Sequence, residues 1–264
     1  MPFITTHNAK VFYQVSGSGE PLVLIPGLDS DHTMWGEVIT ELAAQYQVIA
    51  IDNRGAGRTE YDGDFTIDDI VADIYAVLQE LNLKQIYLLG HSMGGYIVQQ
   101  FISKHQAMVS KLILLSTSYK RSNVSDVRYE VMLEMLDKKI GAELLVKSIL
   151  PWLYGDKYLA KPEHVQQHLH TMLYRKHGGT IAGLKQQVAI IVSFDDQEIL
   201  KNITCPVGII HGDEDRVIPL PRAQEMAEDI SDSRLIVLPG VGHMPQVEVK
   251  DQFLSALKAF LDSA

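Results

Sequence analysis

The chain has 264 residues, 46% apolar and 21% charged, a composition that excludes a disordered or fibrous protein. Its 23 Lys and Arg against 33 Asp and Glu give a net charge of −10, which argues against nucleic-acid or anionic-membrane partners. The apolar runs are far shorter than the roughly 18–20 residues of a membrane span, so no membrane span is expected. The start of the chain lacks the pattern of a secretory signal, and Cys205 alone cannot form an internal disulfide. We therefore expect a cytoplasmic protein.

Short strand-like runs alternate with helical patterns in the first part of the chain. Thr66 and Asp69 have the spacing of a capping box, and apolar residues then recur at i, i+3, i+4 and i+7, the pattern of a helix with one buried face. The predicted strands are residues 10–15, 22–25, 47–51, 85–89 and 111–116. The predicted helices are residues 66–83 and 95–105.

The alternation stops between residues 119 and 183, where the pattern is helical without a convincing strand. It then resumes with a helix at 184–200, a strand at 207–210, a helix at 222–230, a strand at 234–238 and a helix at 252–261. Alternating strands and helices form a mainly parallel sheet covered on both faces, which explains why the strands are continuously apolar. We expect an α/β core of residues 1–120 and 184–264 and an inserted helical lid of residues 121–183, which is too long for an ordinary loop.

The sequence G-H-S-M-G at residues 90–94 lies between a predicted strand and a predicted helix. This is the context that the G-x-S-x-G motif requires. The turn holds the serine in a strained conformation that projects its oxygen outward, and only very small residues fit two positions before and after it. Ser92 is therefore the candidate nucleophile. Its neighbour His91 is expected to pack or to form a hydrogen bond rather than to act as the base.

A serine hydroxyl needs a base, and the base needs an orienting acid. The loop after the strand 207–210 carries Asp213, Glu214 and Asp215, and the loop after the last strand carries His243. Both loops follow the carboxyl ends of predicted parallel strands, where the sites of open α/β sheets gather. The order Ser, Asp, His along the chain is that of the α/β-hydrolase arrangement. The residues by themselves leave the choice among the three acids open.

Four segments together resemble the α/β-hydrolase superfamily, in its lidded group of carboxylesterases, enol-lactonases and C–C bond hydrolases. They are P-G-L at 26–28, D-N-R-G-A-G at 52–57, the G-H-S-M-G turn, and G-D-E-D at 212–215 together with G-H at 242–243. The resemblance covers essentially the whole chain. It implies a mostly parallel sheet flanked by helices, with a helical lid inserted after the sixth strand.

The resemblance also implies roles for individual residues. The triad would consist of Ser92, His243 and Asp215, the acid being the fourth residue of G-D-E-D. Acyl transfer builds negative charge on the former carbonyl oxygen, and two backbone N–H groups commonly stabilise it. The residue after the nucleophile, Met93, is expected to supply one of them. The resemblance implies Leu28, after Pro-Gly, as the other.

The lid carries candidates for substrate binding. Those for a hydrophobic pocket are Trp152, Tyr154, Met132 and Met135. The candidates for binding a substrate carboxylate are Arg128 and Arg175, which are alternatively ordinary exposed arginines. The i, i+4 pair His164 and His168 has no third ligand, and the G-A-G segment lacks the third glycine of a dinucleotide motif. Neither a metal nor another cofactor is expected.

These observations predict a serine hydrolase that cleaves a small carboxylic ester or lactone through an acyl-enzyme intermediate. Two alternatives stay open. One is a C–C bond hydrolase of a β-diketone or dienoic ring-cleavage product, which uses the same triad. The other is a ligand-sensing signalling protein that keeps the triad but turns over slowly. The expected partner is the small-molecule substrate, and a monomer and a homodimer are equally compatible with the sequence.

Overall fold

The computed structural model describes residues 3–120 and 123–263. The strands of its nine-stranded sheet are β1 (Phe3–Thr5), β2 (Ala9–Ser16), β3 (Glu20–Ile25), β4 (Tyr46–Ile51), β5 (Glu60–Tyr61), β6 (Ile86–His91), β7 (Val109–Leu115), β8 (Val207–Gly212) and β9 (Ser233–Leu238). The helices are α1 (Glu37–Leu42), α2 (Ile67–Glu80), α3 (Met93–His105), α4 (Asn123–Asp137), α5 (Ala142–Leu153), α6 (Asp156–Leu159), α7 (Pro162–Leu173), α8 (Ile181–Ser193), α9 (Gln197–Lys201), α10 (Leu220–Asp229), α11 (Pro245–Glu248) and α12 (Lys250–Leu261).

The sheet is mostly parallel, as predicted. Its strand order is β1-β2-β4-β3-β6-β7-β8-β9, with β5 paired to β2. From β4 to β9 all neighbouring strands are parallel, whereas β2 is antiparallel to β1, β4 and β5. The carboxyl ends of β3, β6, β7, β8 and β9 therefore meet at one edge of the sheet, and the loops that follow them share that edge.

Both faces of the sheet are covered, because successive side chains of a strand point to opposite faces. In β3, Leu22 and Leu24 belong to the apolar cluster with α1 and α12, whereas Val23 and Ile25 belong to the cluster with α2, α3 and α8. All four side chains are fully buried. The continuously apolar strands of the sequence thus follow from two-sided burial.

The predicted start of the helix 66–83 is confirmed. The hydroxyl of Thr66 accepts a hydrogen bond from the Asp69 backbone N–H at 3.3 Å, and the Asp69 carboxylate accepts one from the Thr66 N–H at 2.8 Å, which is the predicted capping box. The predicted helix 184–200 is wrong in its continuity. It is two helices, α8 and α9, because the Asp196 side chain accepts the Ile199 N–H and starts a new helix there.

The four helices α4–α7 lie between β7 and α8, and we call residues 123–173 the insertion. The insertion follows the seventh strand in chain order rather than the predicted sixth, because β1 and β5 add two short strands to the five that the sequence pattern predicted before it. Residues 1, 2, 121, 122 and 264, which the predicted core and lid include, lie outside the described residues. In the described parts of the chain, no helix combines the length and the apolarity needed to cross a membrane.

Candidate active site

Ser92 lies in the sharp turn between β6 and α3, with φ 55° and ψ −119°. This left-handed conformation is costly for a residue with a side chain and is maintained by its surroundings. A methyl group at Gly90 would lie 2.3 Å from the Gly94 carbonyl oxygen, and one at Gly94 would lie 2.3 Å from the Ile25 oxygen. The two glycines therefore allow α3 to begin directly against β6 and the end of β3, which fixes the turn.

Ser92, His243 and Asp215 form one hydrogen-bonded chain. His243 Nε2 is 2.9 Å from Ser92 Oγ, and His243 Nδ1 is 2.8 Å from Asp215 Oδ2. Because a carboxylate only accepts, Nδ1 carries the proton, so Nε2 of the neutral ring accepts the serine O–H. The three residues are 7%, 2% and 4% exposed, respectively. The arrangement can draw a proton from the serine oxygen while the carboxylate holds the ring.

The other two acids of the loop point elsewhere. Asp213 accepts the Gly240 N–H at 2.6 Å, and Glu214 accepts the Asp156 N–H of the insertion at 2.7 Å. Asp215 instead accepts the backbone N–H groups of Val217 and Ile218 through its second oxygen, at 2.9 and 2.8 Å. Asp215 is thus the acid of this loop that contacts the imidazole.

Burial sets the charge states of the pair. It lowers the pKa of His243 to about 3, with a further lowering by the nearby positive charge of Arg128. Burial raises the pKa of Asp215 to about 6, opposed by the neighbouring His211 and by the N–H groups of Ile218 and Val217. At neutral pH the imidazole is therefore uncharged and the carboxylate is ionised, which is the state in which His243 accepts a proton.

Two further buried histidines hold the loops in place. His91 Nε2 donates to the His243 carbonyl oxygen at 2.9 Å, and His211 Nε2 donates to the Ile218 carbonyl oxygen at 2.8 Å. Burial lowers the pKa of both rings, that of His91 to about 3. The predicted hydrogen-bonding role of His91 agrees with this contact. The part played by His211 was missed, because its partner is a backbone oxygen that no motif marks.

The loop after β3 passes beside the serine. A methyl group at Gly27 would lie 3.1 Å from Ser92 Cβ, so the backbone that leads into Leu28 adjoins the turn. Asn53, in the D-N-R-G-A-G segment, fixes this loop by donating its side-chain N–H to the Pro26 carbonyl at 3.0 Å. Met93 is the first residue of α3, where N–H groups have no acceptor within the helix. The backbone N–H groups of Leu28 and Met93 thus belong to the two segments that flank Ser92.

The insertion is tied to the loop that carries His243. The His243 backbone N–H donates to the Leu153 carbonyl at 2.8 Å. The carboxylate of Glu248 accepts the N–H of Gly155 at 2.9 Å and that of Gly242 at 3.0 Å. The end of α5 and the residues after it therefore help to position the loop that carries the imidazole. No sequence signal marked Glu248.

A cavity of about 850 Å³ opens onto Ser92 and His243 between the insertion and the core. Its lining is mostly aliphatic, aromatic and methionine side chains, and the predicted residues Met132, Met135 and Trp152 belong to it. Tyr154 does not, so its predicted place in the pocket is corrected. Tyr154 follows the end of α5 in an extended conformation, and its ring is buried inside the insertion against Leu150 and Leu169, with its hydroxyl 2.6 Å from His168 Nδ1.

The paired histidines of the insertion do not form a common ligand pair. His164 Nδ1 lies 3.0 Å from the Tyr158 carbonyl, and His168 contacts the Tyr154 hydroxyl. Asp31, His32 and Asp52 lie close together; His32 donates to the Asp52 carboxylate from Nδ1 and from its backbone N–H, at 2.8 and 2.7 Å, whereas Asp31 accepts the Thr33 N–H at 2.8 Å.

Comparison with known proteins identifies the family. The family model described as "alpha/beta hydrolase fold" matches residues 20–249. The chain belongs to the alpha/beta hydrolase family. Among curated relatives, the AB hydrolase superfamily protein YisY of Bacillus subtilis is 29% identical over 276 residues, covering 98% of each chain.

Solved structures agree with this assignment. An esterase from Exiguobacterium antarcticum is 27% identical, with a TM-score of 0.87 and 99% coverage of both chains. The enol-lactonase of Burkholderia xenovorans LB400 has a TM-score of 0.88 at 20% identity, covering 99% of this chain and 100% of its own, which shows the shared fold. The predicted α/β-hydrolase fold is confirmed, and the relatives indicate a hydrolase.

Proposed function

We propose that the protein is a serine hydrolase that cleaves a small carboxylic ester or lactone through an acyl-enzyme intermediate. The observation that carries the proposal is the buried chain of hydrogen bonds from Ser92 through His243 to Asp215, at 2.9 and 2.8 Å. The esterase among the similar solved structures supports the same reaction class. In this proposal the insertion is the lid over the site.

The reaction begins when Ser92 Oγ attacks the substrate carbonyl carbon. His243 Nε2 takes the serine proton, and Asp215 stabilises the resulting imidazolium. The negative charge that develops on the carbonyl oxygen is held by the Leu28 and Met93 N–H groups. His243 then gives the proton to the departing alkoxide. An ester releases a free alcohol at this point, whereas the alcohol of a lactone stays attached to the acyl chain.

Water completes the cycle. His243 takes a proton from a water molecule, whose oxygen attacks the acyl carbon, and the second tetrahedral intermediate collapses. Ser92 recovers its proton from His243, and the carboxylic acid leaves. Because burial lowers the pKa of His243 to about 3, the ring is a neutral base when each half-reaction starts. The His243 imidazolium is formed only while the tetrahedral intermediate carries its negative charge on the former carbonyl oxygen.

Labelling with a fluorophosphonate probe tests the proposal. The wild-type protein should be labelled with a stoichiometry near one, and Ser92→Ala should not be labelled. Release of fluorescent alcohol from umbelliferyl esters should continue over many turnovers and should be lost in the same variant. Unchanged labelling of Ser92→Ala would refute the mechanism. A single burst without further turnover would instead favour a slow ligand-sensing protein.

A further inference from the structure

The charged side chains that line the cavity are Asp29, Arg128 and Arg175. Arg175 is neutralised, because its guanidinium binds both the carboxylate and the carbonyl oxygen of Asp29. Arg128 has no such partner. Among the described residues, no carboxylate lies within ion-pair distance of its guanidinium. The cavity therefore contains one uncompensated positive charge in a protein whose net charge is −10.

The surroundings of Arg128 leave most of its donors available. The guanidinium carbon is 4.7 Å from the centre of the Tyr129 ring and 5.7 Å from that of Trp152. It donates a long hydrogen bond, 3.5 Å, from Nη1 to the Val217 carbonyl and another to the Tyr129 hydroxyl. A guanidinium has five N–H donors in a planar fork that matches the two oxygens of a carboxylate. The two rings orient the fork, and the hydrogen bonds to Val217 and Tyr129 leave the remaining donors available for a substrate.

Arg128 also lies within electrostatic reach of the proposed base. Val217, which it contacts, donates its own N–H to Asp215. The positive charge of Arg128 contributes to the low pKa of His243 and so opposes formation of the imidazolium. Asp215, His91 and His211 are the other ionisable groups that act on one another around His243, and among the described residues the ion pairs of Asp215 are with His211 and His243 rather than with Arg128. An anion bound to Arg128 would remove this penalty during the reaction.

We propose that Arg128 binds a carboxylate of the substrate, so that the preferred substrate is an anionic ester or lactone with an apolar body. This inference rests on the proposed function and names its substrate class. The apolar body fills the space lined by Met132, Met135 and Trp152, and the carboxylate lies against the guanidinium beside the reacting carbonyl. The positive charge is then compensated only when the correct substrate is bound, which gives selectivity against neutral esters of the same size.

A pair of fluorogenic esters tests the inference. The 4-methylumbelliferyl monoester of adipic acid is anionic, and 4-methylumbelliferyl hexanoate is a neutral ester of the same chain length. We expect the wild-type protein to have at least tenfold higher kcat/KM for the adipate ester. Arg128→Met should lower the adipate-to-hexanoate ratio by about 10- to 100-fold, the range of a charge-assisted contact. Arg128→Lys, which keeps the charge without the fork, should lie between the two.

Lys147→Met is the matched control, because it removes one positive charge from the insertion outside the cavity, where Lys147 pairs with Glu143. Its adipate-to-hexanoate ratio should equal that of the wild type. The pH profile gives a second measurement. The acid limb of kcat should lie at higher pH for the adipate ester than for the hexanoate ester, and the two limbs should coincide in Arg128→Met.

The outcomes separate this inference from the proposed function. A protein that is labelled at Ser92 but prefers the hexanoate ester, or whose ratio is unchanged in Arg128→Met, overturns the carboxylate site alone. A labelled protein that leaves the adipate ester intact overturns it as well. Absence of labelling at Ser92 overturns the proposed function itself.

Discussion

A methyl group at position 94 would separate the two segments that flank the serine. The Cβ of Gly94→Ala would lie 2.3 Å from the Ile25 oxygen and 2.7 Å from the Pro26 oxygen. Both atoms are backbone, so no side chain can rotate away. To bring the closest pair from 2.3 Å to the 3.4 Å of an ordinary contact, α3 and the loop after β3 must move apart by about 1 Å.

This displacement acts on the proposed oxyanion site, because Leu28 is carried by the loop and Met93 by the start of α3. A misplacement of about 1 Å in an active site lowers the rate by roughly 100-fold. Loss of one oxyanion donor costs roughly 10²–10³ in kcat. We therefore expect kcat of Gly94→Ala to fall about 100-fold or more, while overpacking lowers the free energy of unfolding by about 1–3 kcal/mol.

Steady-state hydrolysis of 4-methylumbelliferyl hexanoate measures kcat, and urea denaturation measures the loss of stability. Gly141→Ala is the control, because a methyl group at Gly141 meets nothing within 4 Å. Its kcat should stay within twofold of the wild type. The Ser92 labelling rate should fall with kcat in Gly94→Ala, although labelling still runs to completion. A folded Gly94→Ala protein with kcat within threefold of the wild type would show that this close approach does not position the oxyanion donors.

The remaining predictions concern the acid, the contact between the insertion and the loop that carries His243, and the dependence of stability on pH. Asp215→Asn should lower kcat about 10⁴-fold, because an amide no longer fixes the tautomer of the imidazole. Asp213→Asn should change kcat less than tenfold. If steady-state kinetics give the larger loss in Asp213→Asn, the acid is Asp213 instead. Glu248→Ala should lower kcat about tenfold with little change in KM, because the Glu248 carboxylate orders the backbone around the imidazole. Glu248→Gln should recover part of the lost kcat. A change confined to KM would contradict this role. Burial lowers the pKa of His91 and His243 to about 3, so below pH 6.5 the unfolded chain takes up protons that the folded chain does not, and the stability of the fold decreases as pH falls. The raised pKa of Asp215, about 6, opposes this effect. Urea denaturation at pH 7.5, 6.5 and 5.5 should still show the free energy of unfolding falling by about 1 kcal/mol per pH unit on average, and a free energy that stays level or rises as pH falls would be the contrary result.

Local signals predicted the main elements of the fold. The long strands and the capped helix α2 occur within one or two residues of the predicted starts, because burial on both faces requires apolar runs and the cap is a contact between neighbours in sequence. The short strands β1 and β5 were missed. β5 has two residues and exists only because it pairs with Ala9 and Lys10 of β2, which lie 50 residues away along the chain. Such an element has no pattern of its own.

The candidate site likewise has a part that a local sequence pattern predicts and a part that depends on contacts between distant residues. The turn around Ser92 is readable because its glycines are required by contacts within a few residues and with the adjoining strand. The choice of Asp215 over Asp213 depends instead on which N–H group each carboxylate accepts, and the N–H that Asp213 accepts lies on a different loop, at Gly240. Tyr154 was misplaced for a related reason. Aromatic residues near the end of a helix look alike in sequence, and only packing decides which of them face a cavity.

The sequence by itself determined the family, the order of strands and helices, and the side chains with the chemistry for acyl transfer, because each is encoded by composition, periodicity or a short motif. Only the tertiary structure decided which of these side chains meet. The sheet order brings the loops after β6, β8 and β9 to one edge, and the contacts of Leu153 and Glu248 bring the insertion down onto His243. The same folding pairs Arg175 with Asp29 and leaves Arg128 facing the cavity. These outcomes depend on distances between residues far apart in sequence, and no local pattern records such distances.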